Sequence, residues 1–213
     1  MYEKEKQDVL ACARKMDRYQ LVCLSGGNVS MRMPDGNFLV TPSALIYDDM
    51  TPEDVVLVDE HGKLVEGTRR PSSDTLALLY IFKHMPNVNA VIHTHQPYAT
   101  AVGLVTDVLP ACLVTIIDAN NGPVNVAPFT ISSDEGMGVL TVQYAGDSLA
   151  VILKNHGVIA FGKNLEEALS SAVYLEESSK AYLIARSVGP ISLLTEEQIA
   201  KEGAYRGNYG QPA

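Results

Sequence analysis

The sequence predicts an α/β domain in which helices flank a mixed sheet. Short apolar runs bounded by turn residues alternate with longer segments of helical periodicity, which is typical of this class. Hydrophobic residues make up 46% of the 213 residues and charged residues 19%, a composition that supports a sizeable core. Because no internal repeat or polar linker interrupts the chain, we predict a single domain over residues 1–213.

The first third of the chain predicts one helix and two hairpins. Residues 3–18 place apolar side chains at helical spacing, which indicates an amphipathic helix. Residues 29–40 and 55–65 each hold two apolar runs around a polar turn, which is typical of β-hairpins. Gly26 and Gly27 precede the first hairpin, and this loop either presents backbone N–H groups to an anion or forms an ordinary tight turn.

The middle of the chain alternates between helices and strands. Ser72, Ser73 and Asp74 precede the apolar run 75–83, so a helix is expected to begin there. Its N-terminus would suit a phosphate, although capping alone also explains these residues. Three further elements are expected: a helix over 96–105, a strand over 123–126 and a helix over 134–146, the last weakened by its glycines.

The last third predicts two strands and two helices. The strands cover residues 149–153 and 157–161. The longest helical pattern runs from its N-cap Asn164 to Arg186, before a Gly-Pro stop. A short final helix begins at Thr195 with the pattern of a capping box.

Three of the five histidines stand at the ends of predicted strands. His93 and His95 are two residues apart in one strand, so both imidazoles are expected on one side of the sheet. His156 ends a second buried-strand pattern. Such a set suits a catalytic divalent metal, with zinc as the first choice and a fourth position open or filled by a carboxylate. The alternatives are a chance surface pair and a structural zinc site, although structural sites are usually closed and rich in cysteine.

Charge and cysteine content limit the cellular setting. The net charge of −9 disfavours partners such as nucleic acid and anionic membranes, and no apolar run approaches membrane-spanning length. Cys12, Cys23 and Cys112 form no C-x-x-C pair, which indicates buried thiols of a reducing compartment. The charged N-terminus has no apolar leader core, so we predict a cytoplasmic protein.

Four motifs, taken in their order along the chain, resemble the class II aldolase/adducin family. They are Pro71-Ser72-Ser73-Asp74, His93-Thr94-His95, Asn155-His156-Gly157 and the stretch from Gly162 to Ala168. The resemblance extends from Gly26 to Gln211. It implies a central, mostly antiparallel sheet between helical layers, and a cyclic homotetramer with active sites between neighbouring subunits.

The resemblance also implies a role for individual residues. One divalent metal per subunit, Zn²⁺ before Mn²⁺ or Co²⁺, would be held by His93, His95 and His156. Asp74 would ligate this metal or exchange protons with the substrate. The phosphate-binding positions of the family fall on Gly27, Asn28, Ser43, Ala44, Ser72 and Ser73.

The implied substrate is a phosphorylated ketose, whose bond between C3 and C4 breaks with the metal as Lewis acid. We favour 4-epimerisation of a pentulose 5-phosphate, such as L-ribulose 5-phosphate, over cleavage of a ketose 1-phosphate, such as L-fuculose 1-phosphate. Asp74, Asp118 and Tyr209 resemble the epimerase's motif carboxylate, its catalytic aspartate and its acid/base tyrosine, although a solvated turn also explains Asp118. Against the epimerase, Thr41 replaces a lysine, and the segment between the second and third histidines is short.

Within this family a third function stays open. Adducin-like members have lost the metal and serve as interaction modules. The presence of all three histidines together with Asp74 favours an enzyme over such a module.

Overall fold

The computed structural model describes residues 1–132 and 134–205. The helices in this part of the chain are α1 (Glu3–Arg18), α2 (Thr75–His84), α3 (Pro97–Val105), α4 (Val114–Asn120), α5 (Gly136–Tyr144), α6 (Leu165–Val188) and α7 (Glu196–Tyr205). The strands are β1 (Asn28–Arg32), β2 (Phe38–Val40), β3 (Val56–Val58), β4 (Leu64–Glu66), β5 (Ala90–Thr94), β6 (Val108–Leu109), β7 (Val124–Ala127), β8 (Ala150–Leu153) and β9 (Gly157–Gly162). Short 3₁₀ turns cover Tyr47–Asp49 and Pro52–Asp54.

The described strands form one nine-stranded sheet in the order β4-β3-β2-β1-β5-β9-β8-β7-β6. Among these pairings only β7 with β8 is parallel, so the predicted fold of a mostly antiparallel sheet between helices is confirmed. The central strand β5 pairs with β1 on one side and β9 on the other. This register places His93 opposite Asn28 and Ile159.

Two apolar layers cover the faces of the sheet. Along β5 the side chains of Ala90 and Ile92 enter the layer formed with α1, α3, α4 and α6. Val91 enters the other layer, formed with α2 and α5. A strand that is buried on both faces has a continuous run of apolar residues in its sequence, and β5 has such a run. Burial of Val91 and of Ile92 contributes roughly 1.5–3 kcal/mol each, so β5 is a rigid base for the residues at its end.

The main predicted helices and strands are confirmed, with two omissions. Strand β6 and helix α4 lie in a stretch to which the sequence pattern assigned no element. Helix α4 opens with Val114-Thr115-Ile116-Ile117, a β-branched run of modest helix propensity. Ile116 and Ile117 are each 1% exposed and join the core layer that includes α6, so packing rather than local preference sets this helix.

Helix α5 forms despite its two glycines because one of them is needed for packing. A Cβ added at Gly138 would lie 2.4 Å from the carbonyl oxygen of Ala77, so the missing side chain lets α5 approach α2. None of the helices within the described ranges is both long and apolar enough to cross a membrane.

Candidate metal centre

The three histidines predicted as a set converge beyond the carboxyl end of β5. His93 lies in β5, His95 directly follows that strand, and His156 lies in the turn between β8 and β9. One potential ligand nitrogen from each ring lies within 4.8 Å of the other two. The Nε2 atoms of His93 and His95 are 3.0 Å apart. The cluster therefore has the compactness that a single metal ion requires.

The tautomer of His93 is set by the backbone of β9. Its Nδ1 lies 2.9 Å from the carbonyl oxygen of Val158, which can only accept a hydrogen bond. In the neutral ring Nδ1 therefore carries the hydrogen, and the lone pair of Nε2 faces the other histidines. Fixing a ligand histidine through its second nitrogen is the usual arrangement at protein metal sites.

Electrostatics keep the cluster neutral. Burial lowers the pKa of His93 to about 3, and the neighbouring His95 and His156 contribute to this shift. Burial also lowers the pKa of His95 and His156, while the negative charge of Asp74 opposes this effect. Neutral imidazoles with converging lone pairs are the protonation state that a divalent cation binds. The donor set thus fits a metal such as zinc.

Two glycines allow the backbone to approach the His95 ring. A Cβ added at Gly157 would lie 2.1 Å from the carbonyl oxygen of Thr94 and 3.0 Å from Cδ2 of His95. At Gly26 a Cβ would lie 3.2 Å from Nδ1 of the same ring. The Asn155-His156-Gly157 motif therefore supplies one histidine of the cluster and a glycine whose missing side chain leaves room for the Thr94 carbonyl and the His95 ring.

Asp74 lies next to the cluster and is held by Asn28. The Asn28 side chain is fully buried, and its Nδ2 donates to Asp74 Oδ2 at 2.8 Å and to Ser72 Oγ at 3.2 Å. Asp74 Oδ1 has a weaker partner, the Ser73 hydroxyl at 3.3 Å. Asn28 Oδ1 is buried and receives no hydrogen bond from the described residues. An unmatched acceptor of this kind is costly unless a ligand or water completes it.

The remaining predicted site residues form a polar corner beside the histidines. A pocket of about 200 Å³ is shared by the three histidines, Asp74 and the predicted phosphate-binding residues other than Asn28, namely Gly27, Ser43, Ala44, Ser72 and Ser73. Ala44 has a φ of 59°, a left-handed conformation that is rare for residues with a side chain and typical of ligand-binding turns.

No lysine or arginine is found among the described residues that line this pocket. The N-terminus of α2 begins immediately after Asp74 and contributes the positive end of a helix dipole. Ser72 is tied to its neighbours, since its N–H donates to the Thr41 carbonyl at 3.2 Å. This hydrogen bond ties the loop before α2 to the end of β2, and the dipole of α2 is a source of positive potential for an anion.

Other predicted residues lie elsewhere. Asp118 is half-buried on α4 and faces a surface pocket with Lys163 and Asn164, at the end of β9 that is remote from His156. Tyr209 lies outside the described residues. Thr41 is 1% exposed, and its hydroxyl accepts the N–H of Val29 at 3.1 Å, so it supports the sheet rather than the pocket.

Sequence reasoning missed Ser132, which lines the pocket from the loop before α5. A single serine in an irregular loop carries no periodicity or motif. Only its position in the fold identifies it.

The geometry agrees with the comparisons with known proteins. A family model described as the class II aldolase and adducin N-terminal domain matches residues 7–183. This chain therefore belongs to the class II aldolase and adducin family, as the sequence motifs predict.

Similar proteins cover nearly the full chain. The 5-deoxy-D-ribulose 1-phosphate aldolase of Bacillus thuringiensis serovar kurstaki is 32% identical over 213 residues, covering 99% of each chain. A solved L-fuculose 1-phosphate aldolase superposes with a TM-score of 0.88 at 28% identity, over 93% of this chain and 94% of that one. An L-fuculose-1-phosphate aldolase from Thermus thermophilus has a TM-score of 0.76 at 24% identity, over 86% and 96% of the two chains, and this likeness concerns the fold alone.

Proposed function

We propose that this protein is a metal-dependent aldolase that cleaves a ketose 1-phosphate into dihydroxyacetone phosphate and an aldehyde. The observation that carries the proposal is one pocket in which three histidines with lowered pKa values lie beside a buried carboxylate and a polar corner lined by serines and glycines. The similarity to two sugar 1-phosphate aldolases supports this activity over others of the family.

His93, His95 and His156 would hold one divalent metal, and the nitrogen ligands favour zinc before manganese or cobalt. When bound, the metal supplies Lewis-acid stabilisation of the negative charge that develops on the substrate as the C3–C4 bond breaks. The chain contributes the neutral state of the ligands and the direction of the His93 Nε2 lone pair.

Asp74 would move the proton that completes the cleavage. Its Oδ2 is held by Asn28 at 2.8 Å, so Oδ1 is the oxygen left to take the proton released by the C4 hydroxyl as the C3–C4 bond breaks and to return it to C3 after the aldehyde departs. The hydrogen bond from Asn28 fixes the carboxylate on one side of the histidines.

The phosphate would occupy the corner formed by Gly27, Ser43, Ala44 and Ser73, in front of α2. Asn28 also belongs to this group by sequence, yet its side-chain donor group is already used by Asp74 and Ser72. Ser73→Asp should therefore raise KM strongly through repulsion, while metal content stays unchanged. An unchanged KM would exclude this corner as the phosphate site.

Product analysis tests the proposed activity directly. The purified protein, loaded in turn with zinc, manganese and cobalt, is incubated with 5-deoxy-D-ribulose 1-phosphate and with L-fuculose 1-phosphate, and NMR follows the products. Release of dihydroxyacetone phosphate in equal amount with an aldehyde supports the proposal. Intact ketose 1-phosphates in every metal-loaded sample would contradict it.

The second candidate is 4-epimerisation of a pentulose 5-phosphate, which the sequence analysis favours. The specific observation in its support is the aspartate at position 74, which is buried beside the histidines as an epimerase would need. The structural use of Thr41, whose hydroxyl accepts the N–H of Val29 at the position where the epimerase has a lysine, speaks for the aldolase. Conversion of L-ribulose 5-phosphate into its C4 epimer in the same assay would favour the epimerase.

We further propose a cytoplasmic homotetramer in which a neighbouring subunit completes each site. The support is the family resemblance together with exposed apolar side chains near the end of α3, where Leu104 and Val105 are 56% and 54% exposed. In such an assembly Asp118 and Tyr209 would act on a neighbour's pocket. Light scattering that finds a fully active monomer would contradict this arrangement.

A further inference from the structure

Helix α3 begins two residues after His95 and receives no capping hydrogen bond from its own N-cap residue. Its N-cap is Gln96, and Pro97 occupies the first helical position. The first N–H groups of a helix have no partner within it, and a buried helix start without partners is unfavourable. The N–H groups of Tyr98 and Ala99 nevertheless do have partners, which come from a distant part of the chain.

Both partners belong to one buried carboxylate on α6. Glu176 Oε1 accepts the N–H of Tyr98 at 2.9 Å, and Oε2 accepts the N–H of Ala99 at 2.9 Å. Glu176 is only 7% exposed. It acts on the two positions that a local capping side chain would serve, and its charge faces the positive end of the helix dipole.

A second connection to α6 lies next to His95 itself. Gln96 is fully buried, and its Nε2 donates to the carbonyl oxygen of Ala172 at 3.1 Å, one helical turn before Glu176. Its Oε1 accepts the Thr94 hydroxyl at 2.7 Å. The backbone around His95 is thus fastened to two successive turns of α6.

The direction of the His95 ring depends on this backbone more than the direction of the His93 ring does. His93 lies inside a strand paired on both sides and donates through Nδ1 to Val158. The Nδ1 atom of His95 has no hydrogen-bond partner within the described residues. The residue lies just beyond the last paired position of β5, where its backbone N–H donates to the Leu21 carbonyl oxygen at 3.1 Å. A metal ligand without such an outer hydrogen bond takes its direction from the chain that carries it.

We infer that Glu176 is a positioning residue for the metal site: by capping α3 it fixes the backbone that directs His95 Nε2 toward the other two histidines. The inference rests on the proposed metal-binding role of those histidines. Burial raises the pKa of Glu176, and the hydrogen bonds from the Tyr98 and Ala99 N–H groups oppose this shift.

The test is the metal affinity of Glu176→Gln, measured by competition with a coloured chelator, together with the visible spectrum of the cobalt-loaded protein. Glutamine keeps the volume but turns an amide N–H₂ toward a backbone N–H, so one of the two hydrogen bonds is lost. We expect metal affinity to fall by roughly 10–100-fold, the usual effect of an outer-shell change, and the cobalt spectrum to shift.

Two matched variants serve as controls. Asp59 also accepts two backbone N–H groups, from His61 and Lys63 at 2.9 Å each, but it lies in the β3–β4 turn away from the pocket. Glu177 is the exposed neighbour of Glu176 on α6 and matches its charge. In Asp59→Asn and Glu177→Gln, metal affinity should stay within about twofold of the wild type.

The inference is overturned if Glu176→Gln lowers the thermal midpoint but leaves metal affinity and the cobalt spectrum unchanged, because Glu176 would then only stabilise the fold. If Glu176→Gln does not fold, Glu176→Asp keeps the charge on a shorter side chain, and the same comparison decides. A wild type that binds no metal would contradict the proposed function and this inference with it. If the wild type binds metal tightly and Glu176→Gln binds it equally tightly, only this inference is contradicted.

Discussion

The two ends of the β5–β9 strand pair differ in whether their polar groups have hydrogen-bond partners. Beyond Gly162, the N–H of Lys163 donates to the Glu167 carboxylate at 2.8 Å, and the N–H of Glu167 donates to Asn164 Oδ1 at 2.9 Å. At the histidine end, Asn28 Oδ1 is buried without a partner among the described residues. Polar groups that bond to one another indicate a structural role, while a buried polar group without a hydrogen-bond partner indicates where a ligand is expected.

The comparison separates two kinds of motif that look equally specific in the sequence. The stretch from Gly162 to Ala168 resembles the family because it starts α6 with an N-cap from Asn164 and a second hydrogen bond from the Lys163 N–H to Glu167. His93-Thr94-His95 and Asn155-His156-Gly157 resemble it because they bring ligand atoms together. One motif therefore serves the fold, and the other two serve the chemistry.

The largest expected effect at the histidine end is on turnover. Asp74→Asn replaces the proposed proton carrier by an amide of the same shape. We expect kcat to fall by about 10²–10⁴-fold, the scale of a positioned acid/base group, with only a small change in KM for the phosphorylated substrate. Steady-state kinetics measure both constants. Retention of most of the wild-type kcat would remove Asp74 from the mechanism.

A pair of glycine variants compares the two ends of β9 directly. Gly157→Ala would place a Cβ 2.1 Å from the Thr94 carbonyl oxygen, and Gly162→Ala would place one 2.9 Å from the Glu167 side chain. Both should lower the free energy of unfolding by about 1–3 kcal/mol through overpacking. Only Gly157→Ala should also weaken metal binding, because only it displaces the His95 ring.

Urea unfolding and metal titration check this pair. Equal metal affinity in the two variants would show that the backbone approach at Gly157 has no bearing on the cluster.

The stability of the metal-free protein should depend on pH through the buried histidine. The pKa of His93 falls from 6.5 to about 3 on folding. Between these values the unfolded chain binds the proton more readily than the folded one, so the free energy of unfolding decreases as the pH falls from 6.5 toward 3. The loss should be on the order of a few kcal/mol.

Urea unfolding at several pH values follows this loss, and His93→Gln should reduce it, leaving the smaller contributions of His95 and His156. His84→Gln, an exposed histidine on α2, serves as the control and should keep the wild-type slope. A wild-type stability that does not vary over this pH range would contradict the neutral, buried state of His93.

The smallest effect is expected at the end of the β5–β9 strand pair that holds Gly162 and the start of α6. Asn164 caps α6 by accepting the N–H of Glu167, so Asn164→Ala should cost about 1 kcal/mol of stability. Metal affinity should stay within about twofold of the wild type, since the cap lies at the opposite end of the β5–β9 strand pair from the histidines. A large loss of metal affinity in this variant would mean that the two ends are coupled more strongly than their contacts indicate.

Much of the site could be predicted because its signals are local. Alternation along a strand places His93 and His95 on one side, and the apolar run from Ala90 marks a strand buried on both faces. Helix α4 was not predicted, since its β-branched residues favour a helix only when packed on α6.

Glu176 was not predicted for a related reason. It is 78 residues away from Tyr98, and only the folded chain brings the two together. The absence of a local cap before α3 was a visible signal, but it does not identify which distant residue supplies the cap.

The most direct test of the account is the metal content of the wild type and two histidine variants after purification in buffer containing zinc. His61, in the exposed β3–β4 turn, provides the matched control. We expect one metal per subunit in the wild type and in His61→Ala, and almost none in His95→Ala, because the remaining pair of imidazoles cannot enclose the ion. Full metal content in His95→Ala would contradict this expectation.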